Sequence, residues 1–262
     1  MSAPRCAILI PSYDTGPILR ETVESALKQG LPVRVVIDGS TDGSPALLAP
    51  LQRDAGTERL GITELPRNSG KGAAVLVGLR QAIDDGFSHV LTMDADGQHP
   101  ADWIPRFVGI SSEHPEAAVF GVPIFDGSAP RARVNGRKVS NFCADLETLW
   151  WGIGDSLFGM RIYPAKPLME ALESTRFARR FDFDPEVAVR LAWRGVPIVK
   201  LPTPVRYLSP EQGGISHFRY LRDNTLLTWM YWRLLAGSIL RMPKLALRKG
   251  NPLRTLSPNC PS

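Results

Sequence analysis

Four short apolar runs in the first hundred residues each end on a polar loop, and the intervals between them are long enough to hold a helix. Ala7-Ile-Leu-Ile10 is stopped by Pro11. Val33-Arg-Val-Val-Ile37 runs into Asp38-Gly-Ser-Thr-Asp-Gly-Ser44, residues 61–65 form a weaker third run, and Val90-Leu-Thr-Met93 runs into Asp94-Ala-Asp96. Between the runs, residues 18–29 place Leu19, Val23, Ala26 and Leu27 at helical spacing, with Gly30 closing the helix. Residues 71–83 do the same with Ala74, Val75, Gly78 and Leu79. Ser44 is predicted to cap the helix between the second and third runs, with Pro45 in its first turn. Strands joined by helices of this length pair in parallel through right-handed crossovers. Ligands of such sheets bind outside the carboxyl ends of the strands. The loops at 12–15, 38–44 and 94–99 are therefore predicted to open onto one rim.

The second part of the chain is less regular. Residues 117–122, 158–163 and 196–200 read as strands. A basic stretch with Arg131, Arg133, Arg137 and Lys138 leads into a mostly apolar helix ending near residue 151, and 185–194 read as a helix. No repeat or linker marks a clean boundary. The expected division is a domain over 1–215, with a donor-binding half at 1–100 and an acceptor-binding half at 101–215, followed by a helical, basic tail at 216–262. With 44% hydrophobic and 22% charged residues over 262 positions, wholesale disorder is excluded. Cys6, Cys143 and Cys260 are widely separated, which argues against a disulfide framework or structural zinc and for a reducing, cytoplasmic location. The apolar run at 6–10 is too short for a signal-peptide core, and no stretch of ~18 uncharged apolar residues predicts a spanning helix. The net charge of +5 suits a phosphate-bearing ligand or an anionic membrane surface. No nucleic-acid partner is expected.

Three motifs carry chemistry. Asp94-Ala-Asp96-Gly-Gln98 follows a strand directly, and at a strand end residues two apart point the same way. Two carboxylates with Gln98 as a third oxygen suit Mg²⁺ or Mn²⁺; the plainer reading is a turn rich in Asp and Gly. Asp38 ends a buried strand and can accept two hydrogen bonds from a base or ribose edge, while the same loop also reads as an ordinary strand-to-helix connection with Asp42 as a turn former. Asn68-Ser-Gly-Lys71-Gly72 fails the P-loop pattern, having Leu65 and Gly72 where that motif needs Gly and Ser or Thr. What remains is a helix N-terminus and a lysine, either facing phosphate or simply on the surface.

Together these segments resemble the family 2 glycosyltransferases of the GT-A fold, and among them the dolichyl- and polyprenyl-phosphate sugar transferases and related bacterial enzymes. The matching pieces are Ile10-Pro-Ser-Tyr13, Val36-Ile-Asp-Gly-Ser-Thr-Asp42, Asn68-Ser-Gly-Lys-Gly72, Asp94-Ala-Asp-Gly-Gln-His-Pro100, Gly159-Met-Arg-Ile-Tyr163 and Phe183-Asp-Pro-Glu186, in order over roughly residues 5–220. The resemblance implies an α/β, Rossmann-like, mostly parallel sheet flanked by helices. It implies an inverting transfer from a UDP- or GDP-linked sugar. Asp94, Asp96 and Gln98 would hold Mg²⁺ or Mn²⁺. Pro11, Tyr13, Asp38, Ser40, Lys71, Asp94, Arg137 and His217 would contact the nucleotide-sugar. Many relatives carry two acids before this Gly-Ser, where this chain has Ile37 before Asp38.

Arginines complement a departing diphosphate through bidentate contacts, and Arg131, Arg133, Arg137, Arg161, His217 and Arg219 are candidates. In membrane-linked relatives the corresponding basic stretch meets an acceptor phosphate, and an Arg often precedes the Gly-x-Ser that here is Gly214-Ile-Ser216; this chain has Glu211 there. A hydroxyl acceptor needs a general base, for which Asp182, Asp184 and Glu186 are available and Asp184 or Glu186 is favoured; the alternative is that these acids only favour a helix N-terminus. A phosphate acceptor needs none.

Residues 216–240 read as a long helix with Trp229, Tyr231 and Trp232, interleaved with Arg219, Arg222, Arg233 and Arg241 and followed by Lys244, Arg248, Lys249 and Arg254. Such an amphipathic segment suits the headgroup plane of an anionic membrane, and equally a core helix or a dimer seam. The expected setting is cytoplasmic, peripheral to the inner face of the membrane, with a lipid or polyprenyl-phosphate acceptor. Two other functions remain open. A sugar nucleotidyltransferase would carry a Gly-rich loop after the first strand, where this chain has Pro11-Ser-Tyr-Asp14. A non-catalytic nucleotide-sugar-binding module would not need Asp94, Asp96 and Gln98 intact.

Overall fold

Seven strands alternate with helices along the chain and combine into one sheet. The computed structural model describes residues 4–125, 131–205, 220–248 and 250–253. The strands are β1 (Cys6–Ser12), β2 (Val33–Asp38), β3 (Leu60–Leu65), β4 (His89–Thr92), β5 (Ala118–Ile124), β6 (Arg161–Pro164) and β7 (Ile198–Pro204). The helices are α1 (Ile18–Leu27), α2 (Ser44–Ala55), α3 (Lys71–Asp84), α4 (Ile104–Glu113), α5 (Arg131–Glu147), α6 (Ala165–Glu173), α7 (Phe183–Trp193) and α8 (Tyr220–Leu247). The sheet order is β3-β2-β1-β4-β6-β5-β7. Parallel pairs join β1 to β2 and β4, β2 to β3, and β5 to β7, with Ile10 opposite Val35 and Ile8 opposite Leu91. The connections run outward from β1 to β3 and then return to its other side at β4. The crevice between the ends of β1 and β4 is thus the switch point where open α/β sheets take their ligands.

The period-two alternation of the strands feeds both faces of the sheet. Leu9, Val36 and Val90 pack into a core with α3, α6, α7 and the inner sides of α5 and α8. Ile8, Ile10, Val35, Ile37 and Leu91 pack on the opposite face with α1, α2 and α4. Helix α3 lies so close to the sheet that a Cβ on Gly78 would stand 2.2 Å from Leu9 Cδ1, so a residue with a side chain there would have to displace a fully packed leucine.

The sheet is mostly parallel, as expected, and several details differ from the expectations. β6 runs antiparallel to both β4 and β5, so the sheet is mixed: the chain returns from a long excursion after β5 and wedges between two strands already laid down in parallel sense. Helices α4 and α6 escape a periodicity reading because Pro105 and Pro167 stand in their first turns, where a missing N–H costs nothing. Ser44 is the first residue of α2 rather than its cap. Gly43 precedes the helix in a left-handed conformation, and the Ser44 hydroxyl donates to Asp42 Oδ1. α8 extends to Leu247, beyond the expected 240, and no described helix is long and apolar enough to cross a membrane.

The two-faced core has a direct test. Leu9→Ala, at a side chain 1% exposed, is expected to cost about 2–5 kcal/mol in urea denaturation, and Leu221→Ala, 82% exposed on α8, less than about 0.5 kcal/mol.

Candidate active site

The loops that follow β1 and β2 are stitched together by side chain to backbone hydrogen bonds. Asp14, whose φ of +43° is tolerated by a short polar side chain, donates its N–H to Ser40 Oγ at 2.9 Å and accepts the Thr41 N–H on Oδ1 at 2.7 Å. Gly16 N–H donates to Asp42 Oδ2 at 2.6 Å. Tyr13 and Ser40 therefore lie on one rigid lip of the switch-point crevice, and Pro11 is buried in β1 just beneath it.

Asp38 reaches across from the end of β2. Its two carboxylate oxygens accept the N–H groups of Ser69 and Gly70 at 2.8 and 2.6 Å. Those donors precede α3, so the buried carboxylate fixes where that helix begins. The next residue is Lys71. Its ammonium lies 2.6 Å from Asp94 Oδ1 and 2.6 Å from Asp184 Oδ2, joining the turn after β4 to the start of α7. Burial alone would push Lys71 down, but the Asp184 and Asp94 carboxylates hold it above the ordinary lysine range.

The acidic segment lies on a turn beyond β4, not on the strand end itself: β4 stops at Thr92, Gly97 takes φ +72°, and Asp96 Oδ1 accepts the Gln98 N–H at 3.1 Å. Asp94 N–H donates to His99 Nδ1 at 2.9 Å, which leaves the His99 proton on Nε2, 3.7 Å from Asp94 Oδ2. Burial holds His99 down at about 4, so it stays neutral. Burial would raise Asp94, yet Lys71 and His99 keep it at about 2, whereas burial and the charge of Asp94 push Asp96 up to about 6. Asp94 pairs with Lys71, while Asp96, without an ion pair of its own among the described residues, is left more reluctant to ionise. That hard-oxygen donor set fits a divalent ion such as Mg²⁺ or Mn²⁺ on Asp94 and Asp96, with Gln98 alongside. Among the described residues no group of three His, Cys, Asp or Glu side chains forms a closed metal cage, so the remaining ligands of such an ion would be water or substrate.

Supporting residues frame this centre. Gly159 passes so near that a Cβ there would sit 2.6 Å from Asp94 Oδ2 and 2.8 Å from Lys71 Nζ. Arg161, expected to face phosphate, is fully buried. Its guanidinium lies 4.2 Å from the Phe120 ring centroid and donates to the carbonyls of Asp184 and Asp155, so it positions Asp184 from beneath. Arg137 pairs with Asp155 at 2.6 Å. Asp184 is 6% exposed and its Oδ1 has no hydrogen-bond partner, which leaves an acceptor free beside Lys71.

Glu186 does not share this centre. Two residues beyond Asp184 on a helix, it points to the other side of α7, where it is fully enclosed and gripped by Arg190 and Arg233. Asp182 caps its own loop by accepting the N–H groups of Ala178 and Arg180. Of the three acids considered as bases, only Asp184 faces Lys71. Arg131 and Arg133 lie in the first turn of α5 with side chains outside the described residues, and Glu211, Gly214, Ser216, His217, Arg219 and Arg254 lie outside the described residues altogether. Asp14, His99 and Gly159 were missed from the sequence as site-forming residues. The motif Asp94-Ala-Asp-Gly-Gln-His99 already contained the histidine, and nothing local marked Gly159 as a close approach.

Comparison with known proteins fits this geometry. Residues 7–172 match the Glycosyl transferase family 2. The chain is 27% identical over 204 residues to a polyprenol monophosphomannose synthase of Mycolicibacterium smegmatis, covering 76% of each chain. It is 34% identical over 113 residues to an undecaprenyl-phosphate 4-deoxy-4-formamido-L-arabinose transferase of Pectobacterium atrosepticum, covering 41% of this chain and 33% of that one. With the first two curated relatives it matches, the shared part spans only 23% and 33% of their lengths. In structure it resembles the glucosyl-3-phosphoglycerate synthase of Mycobacterium tuberculosis, solved with Mn²⁺, UDP-glucose and phosphoglyceric acid. The TM-score is 0.59 at 16% identity, covering 94% of this chain and 81% of that one, a likeness of fold.

Two charge arrangements are testable by stability. Lys71→Met leaves Asp94 and Asp184 facing each other uncompensated and is expected to cost about 3 kcal/mol, with part regained in Lys71→Met/Asp184→Asn; a double-mutant cycle in urea measures the coupling. Glu147, 1% exposed, is pushed up to about 8 by burial and by Glu186. The unfolded chain ionises this group near 4.5, so its stabilising contribution is full below 4.5 and is lost as pH rises through 8. Glu147→Gln, which cannot ionise, is expected to match the parent in acid and to exceed it by roughly 2–4 kcal/mol at about pH 9.

Proposed function

The chain belongs to glycosyl transferase family 2, and on that premise we propose that it is an inverting glycosyltransferase. It moves a sugar from a UDP- or GDP-linked donor to a lipid-linked or polyprenyl-phosphate acceptor at an anionic membrane surface, on the cytoplasmic side, with Mg²⁺ or Mn²⁺ as cofactor. The observation that carries the reading is the Lys71 ammonium, 2.6 Å from both Asp94 and Asp184. It brings the candidate metal acid and the candidate base to one cation at the carboxyl edge of the parallel strands. The named activities of the Mycolicibacterium and Pectobacterium relatives support the polyprenyl-phosphate acceptor, and the ligands named for the mycobacterial synthase support the donor class and the metal.

In this reading Asp94 and Asp96, with Gln98, hold the divalent ion, which when bound supplies Lewis-acid neutralisation of the departing diphosphate. Tyr13 and Ser40 line the nucleotide side of the crevice. Asp38, with both oxygens already accepting Ser69 and Gly70, contributes through its remaining lone pairs and by fixing the backbone of the Lys71 loop. Lys71 supplies a positive charge to the diphosphate, and Arg137 flanks it. The acceptor oxygen attacks the anomeric carbon from the face opposite the diphosphate; the new C–O bond forms as the old one breaks, and the nucleoside diphosphate leaves with the electron pair. With a hydroxyl acceptor Asp184 takes the proton on its unpartnered Oδ1; with a phosphate acceptor the nucleophile is already anionic. His217 and Arg219, outside the described residues, belong to the same proposal as phosphate contacts.

The membrane side of the proposal rests on α8. Trp229, Trp232, Ile239, Leu240 and Leu247 are all more than half exposed and fall on one outward face, beside exposed Val139, Phe142 and Leu146 of the neighbouring α5. An apolar stripe edged by Arg222, Arg241 and Lys244 suits the headgroup plane of anionic lipid.

Calorimetry with UDP- and GDP-sugars, with and without Mn²⁺, is expected to show metal-dependent binding that Asp96→Asn abolishes. Asp184→Asn is expected to bind donor as the parent does and to transfer to a lipid hydroxyl 10²–10⁴-fold more slowly, within the range of roughly 10²–10⁴ for general-base loss. An unchanged transfer rate would remove the base assignment, and unchanged turnover of donor in Asp94→Asn/Asp96→Asn would remove the metal site.

A further inference from the structure

A cleft of two adjoining lobes, about 270 and 370 Å³, lies between the end of α6, the outer side of α7 and α8, the lobes sharing Ser174, Arg190, Trp193 and Arg241. Arg176 and Arg233 line the first lobe, Arg194 and Lys244 the second, Arg190 and Arg241 both, and no acid lines either. Glu186 lies beneath and is consumed by Arg190 and Arg233. Among the described residues no carboxylate forms an ion pair with Arg176, Arg194, Arg241 or Lys244, and Arg194 feels only the more distant charge of Glu170. Two aromatic rings floor the cleft: the Arg241 guanidinium stands 4.5 Å over Trp193, and that of Arg233 stands 3.8 Å over Phe177. Stacking of this kind holds guanidinium planes in place while leaving N–H edges for a ligand. Burial, joined by the charges of Arg233 and Arg241, pushes Arg190 below the ordinary arginine range, and burial with Arg190 and Arg241 does the same to Arg194. The guanidiniums are crowded enough to feel one another. So dense a group of cations around an open cleft is short of an anion.

Position narrows the anion. Arg233, Arg241 and Lys244 leave α8 on the flank of the same outward stripe that exposes Trp229, Leu240 and Leu247, because residues three and four apart share a helix side. The cleft therefore opens at the margin between apolar stripe and polar flank, the depth at which lipid phosphates lie when such a helix rests in the headgroup plane.

We propose that this cleft binds a phosphate group, and that in the membrane-bound protein the phosphate is that of an anionic lipid headgroup. The site is separate from the donor and acceptor centre and serves to anchor and orient the α8 face. The inference rests on the membrane side of the proposed function and is independent of the donor chemistry.

The full chain is tested as the parent, as Arg194→Gln/Arg241→Gln, as Arg241→Lys, and as Lys28→Gln/Arg53→Gln, which removes the same charge from exposed positions by α1 and α2 on the opposite side of the sheet. Each is centrifuged with phosphatidylcholine vesicles with and without phosphatidic acid, and each is titrated with inorganic phosphate against chloride of equal ionic strength in a thermal melt. The parent is expected to sediment with the phosphatidic acid vesicles. The cleft double variant is expected to lose at least roughly tenfold in vesicle affinity, in line with about a factor of ten per charge-assisted contact. Arg241→Lys is expected to retain an intermediate affinity, the outside-cleft variant to lose far less, and inorganic phosphate to stabilise the parent more than the cleft double variant. Equal losses in the two double variants would reduce the cleft to general surface charge and overturn the proposal. Phosphate stabilisation confined to the parent with equal vesicle binding by all four would overturn the lipid assignment. Donor calorimetry on the same samples reads the catalytic proposal separately, and melting in chloride shows whether each variant folds.

Discussion

One ammonium group organises the front of this molecule. Lys71 sits between two carboxylates that come from distant parts of the chain, Asp94 after β4 and Asp184 in α7, at 2.6 Å from each. Two acids this close and this buried would repel if left alone, and the Lys71 ammonium between them offsets that repulsion. The lysine is in turn placed by Asp38, whose carboxylate fixes the two N–H groups just before it. The chain of constraint thus runs from the end of β2, through the loop before α3, to the turn after β4 and on to α7. Remove any link and the others lose the geometry that makes their charges compatible.

The same logic explains why the acidic turn can be polarised. Asp94 has Lys71 beside it, and His99, which is charged at the low pH where Asp94 titrates, and is held at about 2; Asp96 has burial and a neighbouring anion and is held at about 6. Identical side chains two positions apart therefore ionise at different acidity, because Lys71 pairs directly with Asp94 while Asp96 is dominated by burial and the Asp94 charge. A divalent ion shared by the pair would add the positive charge that Asp96 has only at a distance, which is why the metal proposed for this protein is placed on this turn.

Much of the front of the fold was legible in the sequence. β1, β2 and β4 announce themselves as short apolar runs stopped by polar loops, and α1 and α3 as clean helical spacing, because the sheet buries both faces and leaves the pattern little freedom. Gly70 and Lys71 were visible as a helix start with a positive charge, but the partner was not, since Asp184 lies 113 residues away. Choosing between Asp184 and Glu186 was beyond a linear reading, because residues two apart on a helix face nearly opposite ways and which way is inward depends on how α7 is rolled against α3 and α8. Arg161 read as a phosphate ligand because arginine beside a catalytic strand usually is one. Only the packing against Phe120 and the carbonyl of Asp184 reveals a strut. β6 gave no sign of its direction, for antiparallel and parallel strands of four buried residues look alike in sequence.

α7 is where the two charge systems of the protein meet. One side of its first turn carries Asp184 into the Lys71 centre; the other carries Glu186 into the arginines under α8. Both acids are almost entirely removed from water and both are compensated by cations from other elements, so neither can shift without unbalancing its cluster. A rotation or translation of α7 large enough to loosen the Glu186–Arg233 contact would move Asp184 against Lys71, because the two residues share one rigid helical turn. The position of α8 against the domain and the position of the candidate base in the crevice are in this way set by a single short stretch of backbone, Phe183–Trp193, buried along nearly its whole length.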